Sequence, residues 1–230
     1  EKYKDISPLF EQNKYFDNIH IWEGYDNWPT QNDINYMHES HFSIIFDPME
    51  VHTKEDWYLK KHQTEELCLM HRILPPKDLQ IELNQYFKIK NNKKFIAIVK
   101  GAITRGNEKS LSNEKTLEIS NLISKLGYET VQLGGNNEEQ ILGNKYIGTF
   151  FEKIKFMLSC KILITVDTSY SWISSGYSFP TLGLYNYSYY PKAETSKNWQ
   201  PINKNAVYLE SNDLNNINIE SIEEGLKKLL

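Results

Sequence analysis

From residue 95 onward the chain alternates short apolar runs with amphipathic stretches, and this alternation limits the folds open to it more than any other feature. FIAIV (95–99), ILITV (162–166) and TLGLY (181–185) are continuous apolar runs. Such runs fit strands buried on both faces rather than half-solvated ones. ETVQL (129–133) is a fourth short strand, closed by Gly134-Gly135. NEKTLEISNLISKL (113–126) has helical spacing, with Leu117, Leu122, Ile123 and Leu126 expected inward. Ser112 fits its N-cap, and Gly127 a left-handed stop. Thr149 fits the cap of a helix running to about Ser159, and residues 171–177 a short helix. An amphipathic stretch at 219–230 closes the chain, after an Asn-rich loop at 212–218. Strand and helix in strict alternation predict an α/β fold, a Rossmann-type parallel sheet with helices on both faces.

Residues 1–92 read differently. IHIW (19–22) and FSIIF (42–46) are short strand-like runs ending at turn formers, and 55–74 has a helical apolar face stopped by Pro75-Pro76. The polar stretch Asn91-Asn92-Lys93-Lys94 marks the expected boundary. Two units follow: a partial N-terminal α/β domain at 1–92 and a Rossmann-like domain at 93–230. The chain has 26 basic and 30 acidic residues and a net charge of −4, so composition forces no basic face and nucleic acid is not an expected partner. No window has the roughly 18–20 apolar residues of a membrane span. EKYKDISPLF (1–10) carries charge where a signal peptide needs an apolar core. Cys68 and Cys160 lack any metal or redox spacing and read as reduced thiols of a cytoplasmic protein. All six histidines lie in the first third of the chain. No ligand set completes a metal site around His38 and His41, and no GxSxG elbow supports a hydrolase triad.

Ligands of open parallel sheets bind at the carboxyl ends of the strands. That rule selects 100–109, 134–137, 167–172 and 186–191. The first segment holds Lys100, Gly101, Arg105, Gly106 and Lys109 near a helix start, where backbone N–H groups and cations suit a phosphate. A solvated basic loop is the equal alternative, and the spacing is neither GxGxxG nor a P-loop. Gly134-Gly135 allows a base or ribose to approach the backbone, or is a plain turn with positive φ. Asp167, Thr168 and Ser169 follow a buried strand and suit the hydroxyls of a sugar or ribose; otherwise Asp167 caps the next helix.

These residues together resemble the family 9 glycosyltransferases, the lipopolysaccharide heptosyltransferase type with the GT-B fold. The resemblance covers about 95–191. It rests on FIAIV with its loop and helix, in which Lys109 matches the lysine before the helix, on ETVQLGG, and on VDTSYSWISSGYSFPTLGLY, which is similar to the family's Asp-Ser-Gly motif. SPLFEQNKYFDNIHIW (7–22) resembles an N-domain stretch. Ser169 stands where the family usually has Gly, and Trp172 where it usually has His. The chain lacks the first N-domain strand and its catalytic carboxylate, which implies either a missing N-terminal start or a member without that site.

The resemblance implies an inverting transfer of sugar from a nucleoside-diphosphate sugar to a glycan or lipid-linked saccharide acceptor, with no cofactor and no metal. It also admits peripheral membrane contact through the acceptor. It places Arg105 and Lys109, with Thr104 in the same loop, at the diphosphate. Asp167, Thr168 and Ser169 fall at the sugar or ribose, and Gly134 and Gly135 beside the nucleoside. No catalytic base is assigned; Asp47, at the end of an N-half strand-like run, is the best visible acid, and Asp47-Pro48 is equally a turn signal. A non-catalytic nucleotide- or sugar-binding module of the same fold and a nucleotide-sugar epimerase-like enzyme are the alternatives.

Overall fold

The apolar run at 95–99 forms strand β1 (Phe95–Val99) in the middle of a parallel sheet. A computed structural model describes residues 93–102, 106–188 and 192–230 of the chain, all within one compact unit, Gln80–Leu230. The expectations for residues 1–92, including the strand-like runs, the 55–74 helix, Asp47 and the histidines, lie outside the described residues.

The elements follow the expected alternation. A 3-10 turn (Gly106–Lys109) leads to helix α1 (Asn113–Lys125) and strand β2 (Glu129–Leu133). Then come α2 (Phe150–Ser159), β3 (Ile162–Val166), α3 (Ser169–Gly176) and β4 (Thr181–Asn186). Strand β5 (Ala206–Ser211), a second 3-10 turn (Leu214–Asn216) and α4 (Ile219–Leu229) end the chain. All neighbouring strands pair in parallel, in the order β2-β1-β3-β4-β5. After β2 the chain crosses back over β1 to place β3 on its other side. The order therefore reverses between β1 and β3, which is where open α/β sheets make their ligand crevice.

Each strand sends alternate side chains to opposite faces. Ile96, Ile98, Ile162, Ile164, Val166, Leu182 and Leu184 form one core with Ile119, Leu122 and Ile123 of α1 and Ile222 and Leu226 of α4. On the opposite face Phe95 meets Phe156 of α2, ring centroids 6.2 Å apart. Both faces are covered, and that is why the runs carry no polar alternation. Among the described residues no helix is long and apolar enough to cross a membrane.

The helix ends are set by local chemistry. Ser112 accepts from Lys115 N at 3.0 Å at the start of α1. At its end Gly127 has φ +85°, Tyr128 N donates to Ile123 O and Gly127 N to Ser124 O, the paired bonds of a Schellman motif. Thr149 and Glu152 complete a capping box on α2.

Three expectations need correction. Leu117 is 45% exposed, and Ile119 takes the inward position. At about 100° per residue Leu117 lies about 160° around the helix from Ile119, on the solvent side. Strand β5 was not expected: it is a sheet edge whose residues are all half-buried, and its apolar part, AVYL, is only four residues long and runs into Glu210 and Ser211. The 212–218 stretch is not simply a polar loop: Leu214 and Ile217 are buried in the main core, and the Asp213 side chain caps the 3-10 turn.

Candidate nucleotide-sugar site

Because every strand is parallel, the loops after β1, β2, β3 and β4 all emerge on one edge of the sheet. The registers bring their ends level: Val99 faces Leu133 and Thr165, and Val166 faces Leu184. The four segments selected from sequence are thus neighbours in space.

The decisive contact spans the reversal point. Lys109, in the turn after β1, puts its Nζ 2.5 Å from Oδ2 of Asp167, the first residue after β3. The two side chains are 16% and 14% exposed. The turn that carries Lys109 is anchored from β4, where Asn186 Nδ2 donates to the Glu108 carbonyl at 2.9 Å. Helix α3 has Thr168 as its N-cap residue, so Asp167 lies one residue outside the helix and is not its cap. Thr168 Oγ1 lies 3.0 Å from Thr165 Oγ1. Ser169, in the first turn of α3, is exposed, and Trp172 is partly buried.

Helix α3 is tied to the sheet beneath Asp167. Ser171 Oγ and the Tyr185 hydroxyl are 2.6 Å apart in the interior. Burial, and then the negative charge of Asp167, push the Tyr185 hydroxyl well above its ordinary value, so it remains a neutral hydrogen-bonding group. The first turn of α3, which presents Thr168 and Ser169, is therefore fixed by a buried strand residue.

A second charge cluster lies at the end of β2. Glu138 is the residue that the sequence reading missed. Its carboxylate packs against Gly134, and Lys100 Nζ lies 3.8 Å from Oε1. Lys153, only 4% exposed, donates to the Gly134 carbonyl, and Lys145 donates to the carbonyls of Asn136 and Glu138. Burial pushes the Glu138 carboxyl up, against Lys100, the Gly135 N–H, Lys145 and Lys153. Burial and then Lys145 pull the Lys153 ammonium down, against Glu138. The only sequence signal for Glu138 was a carboxylate three residues after a Gly-Gly turn, and Glu139, one residue on, carries much the same signal.

Gly134 has φ +150°. A Cβ there would fall 1.9 Å from Glu138 Oε2. Gly134→Ala is expected to cost about 1–2 kcal/mol, mostly from backbone strain, because the carboxylate at the end of a flexible side chain can move aside. Urea melts of the two proteins check this; a stability within 0.3 kcal/mol of wild type, about the noise of such data, would contradict it. Thr104 and Arg105 lie outside the described residues. Of the other expected residues, Lys109, Asp167 and Thr168 gather at the reversal point, Ser169 follows them on α3, and Gly134 and Gly135 lie one strand away with Glu138.

No protein-family model matches the chain. No curated protein matches it either. Solved structures do. E. coli heptosyltransferase WaaC with ADP superposes with a TM-score of 0.55 at 15% identity, covering 73% of this chain and 55% of that one. A family 9 glycosyl transferase from Veillonella parvula DSM 2008 gives 0.55 at 15% identity, over 74% of this chain and 60% of that one. E. coli ADP-heptose lps heptosyltransferase II gives 0.51 at 17% identity, over 67% and 55%. The fold is that of these GT-B glycosyltransferases. The chain spans little more than half the length of the solved structures it matches. On the GT-B fold, the parallel sheet and its reversal point form the frame that carries Lys109 and Asp167 together.

Proposed function

We propose that residues 93–230 are the donor-binding domain of a cytoplasmic glycosyltransferase that takes its sugar from a nucleoside diphosphate, with residues 1–92 contributing to the acceptor side. The observation that carries this reading is the Lys109–Asp167 pair across the β1/β3 reversal point. A diphosphate needs a cation and backbone N–H groups, and a sugar needs a carboxylate and hydroxyls. The crevice sets Lys109 on one side and Asp167, Thr168 and Ser169 on the other. Arg105 and Thr104, in the same loop as Lys109, are assigned to the diphosphate from their place in the sequence. Gly134 and Gly135 take the nucleoside, where Glu138 supplies an acceptor for ribose hydroxyls.

In the reaction, negative charge grows on the leaving diphosphate as the sugar becomes oxocarbenium-like, and Lys109 and Arg105 stabilise that charge. An acceptor hydroxyl attacks the opposite face of the sugar and loses its proton to a base, inverting the anomeric centre. The acceptor is a glycan or lipopolysaccharide-type saccharide. WaaC has been solved with ADP and with ADP-2-deoxy-2-fluoro heptose, which makes an ADP-sugar the first donor to try.

A thermal-shift titration of the full chain with ADP, UDP, GDP, CMP and NAD tests the proposal. Saturation at about 100 times Kd stabilises by about 2.7 kcal/mol, or roughly 5–10 °C for a chain of this size. A selective rise with one nucleoside diphosphate, ADP first, is expected. A flat response to all five would overturn the donor-domain reading.

A further inference from the structure

We infer that Asp167 makes the crevice discriminate between the sugar-bearing donor and the free nucleoside diphosphate, by competing with the diphosphate for Lys109. The inference rests on the donor-domain reading above. In this structure the Lys109 ammonium is engaged by Asp167 at 2.5 Å, in a crevice where both side chains are mostly buried. A diphosphate that enters must draw Nζ toward itself. The lysine can follow without moving its turn, because the turn's backbone is held from β4 through Asn186 and Glu108, and the four-carbon stem is flexible.

The exchange takes the Lys109 hydrogen bond away from the Asp167 carboxylate in a partly buried place, which is costly unless another donor replaces it. A donor sugar brings hydroxyls that can fill this role. A free nucleoside diphosphate has only its ribose hydroxyls, which the reading above assigns to Gly134, Gly135 and Glu138. Its terminal phosphate also carries about one further negative charge near pH 7, since the second ionisation of a phosphate monoester lies near pH 6. That charge faces Asp167. The pair as a whole is neutral, so it offers a bare diphosphate little net attraction. Asp167 is thus a specificity-determining residue that disfavours the product as much as it favours the donor, and it speeds release of the nucleoside diphosphate after transfer.

The test is calorimetric titration of the full chain with ADP, ADP-glucose and inorganic pyrophosphate, in wild type, Asp167→Asn, Asp167→Ser and Lys109→Ala/Asp167→Asn. If the thermal-shift series selects another base, its diphosphate replaces ADP. Asp167→Asn and Asp167→Ser are each expected to bind ADP and pyrophosphate about tenfold more tightly than wild type, a change of about 1.4 kcal/mol. The preference for the sugar-bearing nucleotide over ADP is expected to fall by more than that factor. With Lys109 also removed, ADP and pyrophosphate are expected to bind no more tightly than to wild type, because the cation for which Asp167 competes is gone. ADP binding that is unchanged or weaker in both folded single variants overturns the inference while leaving the donor-domain reading intact, provided wild type binds. Absence of nucleotide binding in every variant overturns both.

Discussion

Lys109→Ala is expected to weaken binding of the nucleoside diphosphate by about 10- to 150-fold, the 1.5–3 kcal/mol of a hydrogen bond to a charged group. The upper part of that range is expected, for two reasons. The substitution removes the cation from the β1/β3 reversal point. It also takes the lysine away from Asp167, so the carboxylate's charge is less offset toward the diphosphate at a site where both side chains are largely shielded from water. Lys109→Arg keeps the charge and the reach and should recover most of the affinity. The fold should survive Lys109→Ala, because the turn is held through the Glu108 carbonyl rather than through the lysine side chain. Titration calorimetry decides it, and an affinity within twofold of wild type would remove Lys109 from the diphosphate site.

Gly183→Val is expected to cost about 3 kcal/mol or more and to lower the melting temperature by roughly 6–12 °C. Gly183 lies in β4, inside the sheet, and the space above it is filled by two tyrosine rings. A Cβ at this position would fall 2.4 Å from Cδ1 and 2.6 Å from Cε1 of Tyr208, and 3.0 Å from Cε2 of Tyr185. Neither ring can move away cheaply. The Tyr208 hydroxyl donates to the Pro201 carbonyl at 2.6 Å, and the Tyr185 hydroxyl pairs with Ser171. The rings also meet edge to face, with centroids 5.6 Å apart at 87°. Displacing Tyr185 would loosen α3 as well, so ligand affinity should fall together with stability. Gly183→Ala should show a smaller loss of the same kind. A urea melt showing less than about 1 kcal/mol for Gly183→Val, the lower limit for overpacking, would mean that the rings rearrange freely.

Both predictions depend on contacts between residues far apart in sequence, and the two sets of residues differ in how legible they were. The strands 95–99, 162–166 and 181–185 could be read directly, because a strand buried on both faces is apolar along nearly its whole length. Ser112, Gly127 and Thr149 could be read for the same local reason: a helix end needs a side-chain acceptor or a residue that tolerates positive φ. Leu117 was misplaced because several leucines share one helix and only the neighbouring layer decides which of two faces is covered. Strand β5 escaped because its apolar part is only the four residues Ala206–Leu209 and all its residues stay half-buried at the sheet edge.

The sequence by itself determined the α/β alternation, the ends of most elements and the four loops that must share one edge of a parallel sheet. Local propensity and hydrophobic period act over a few residues, and they are strong enough to settle those features. Tertiary structure alone decided the strand order, and with it that β1 and β3 lie side by side. That adjacency brings Lys109 to Asp167 across 58 residues of chain and settles whether Asp167 caps a helix or faces a cation. It also decided that Glu138, rather than Glu139, turns in against Gly134 and Lys100. Side-chain charge carries no record of its partner in the sequence; the partner is chosen when the sheet assembles.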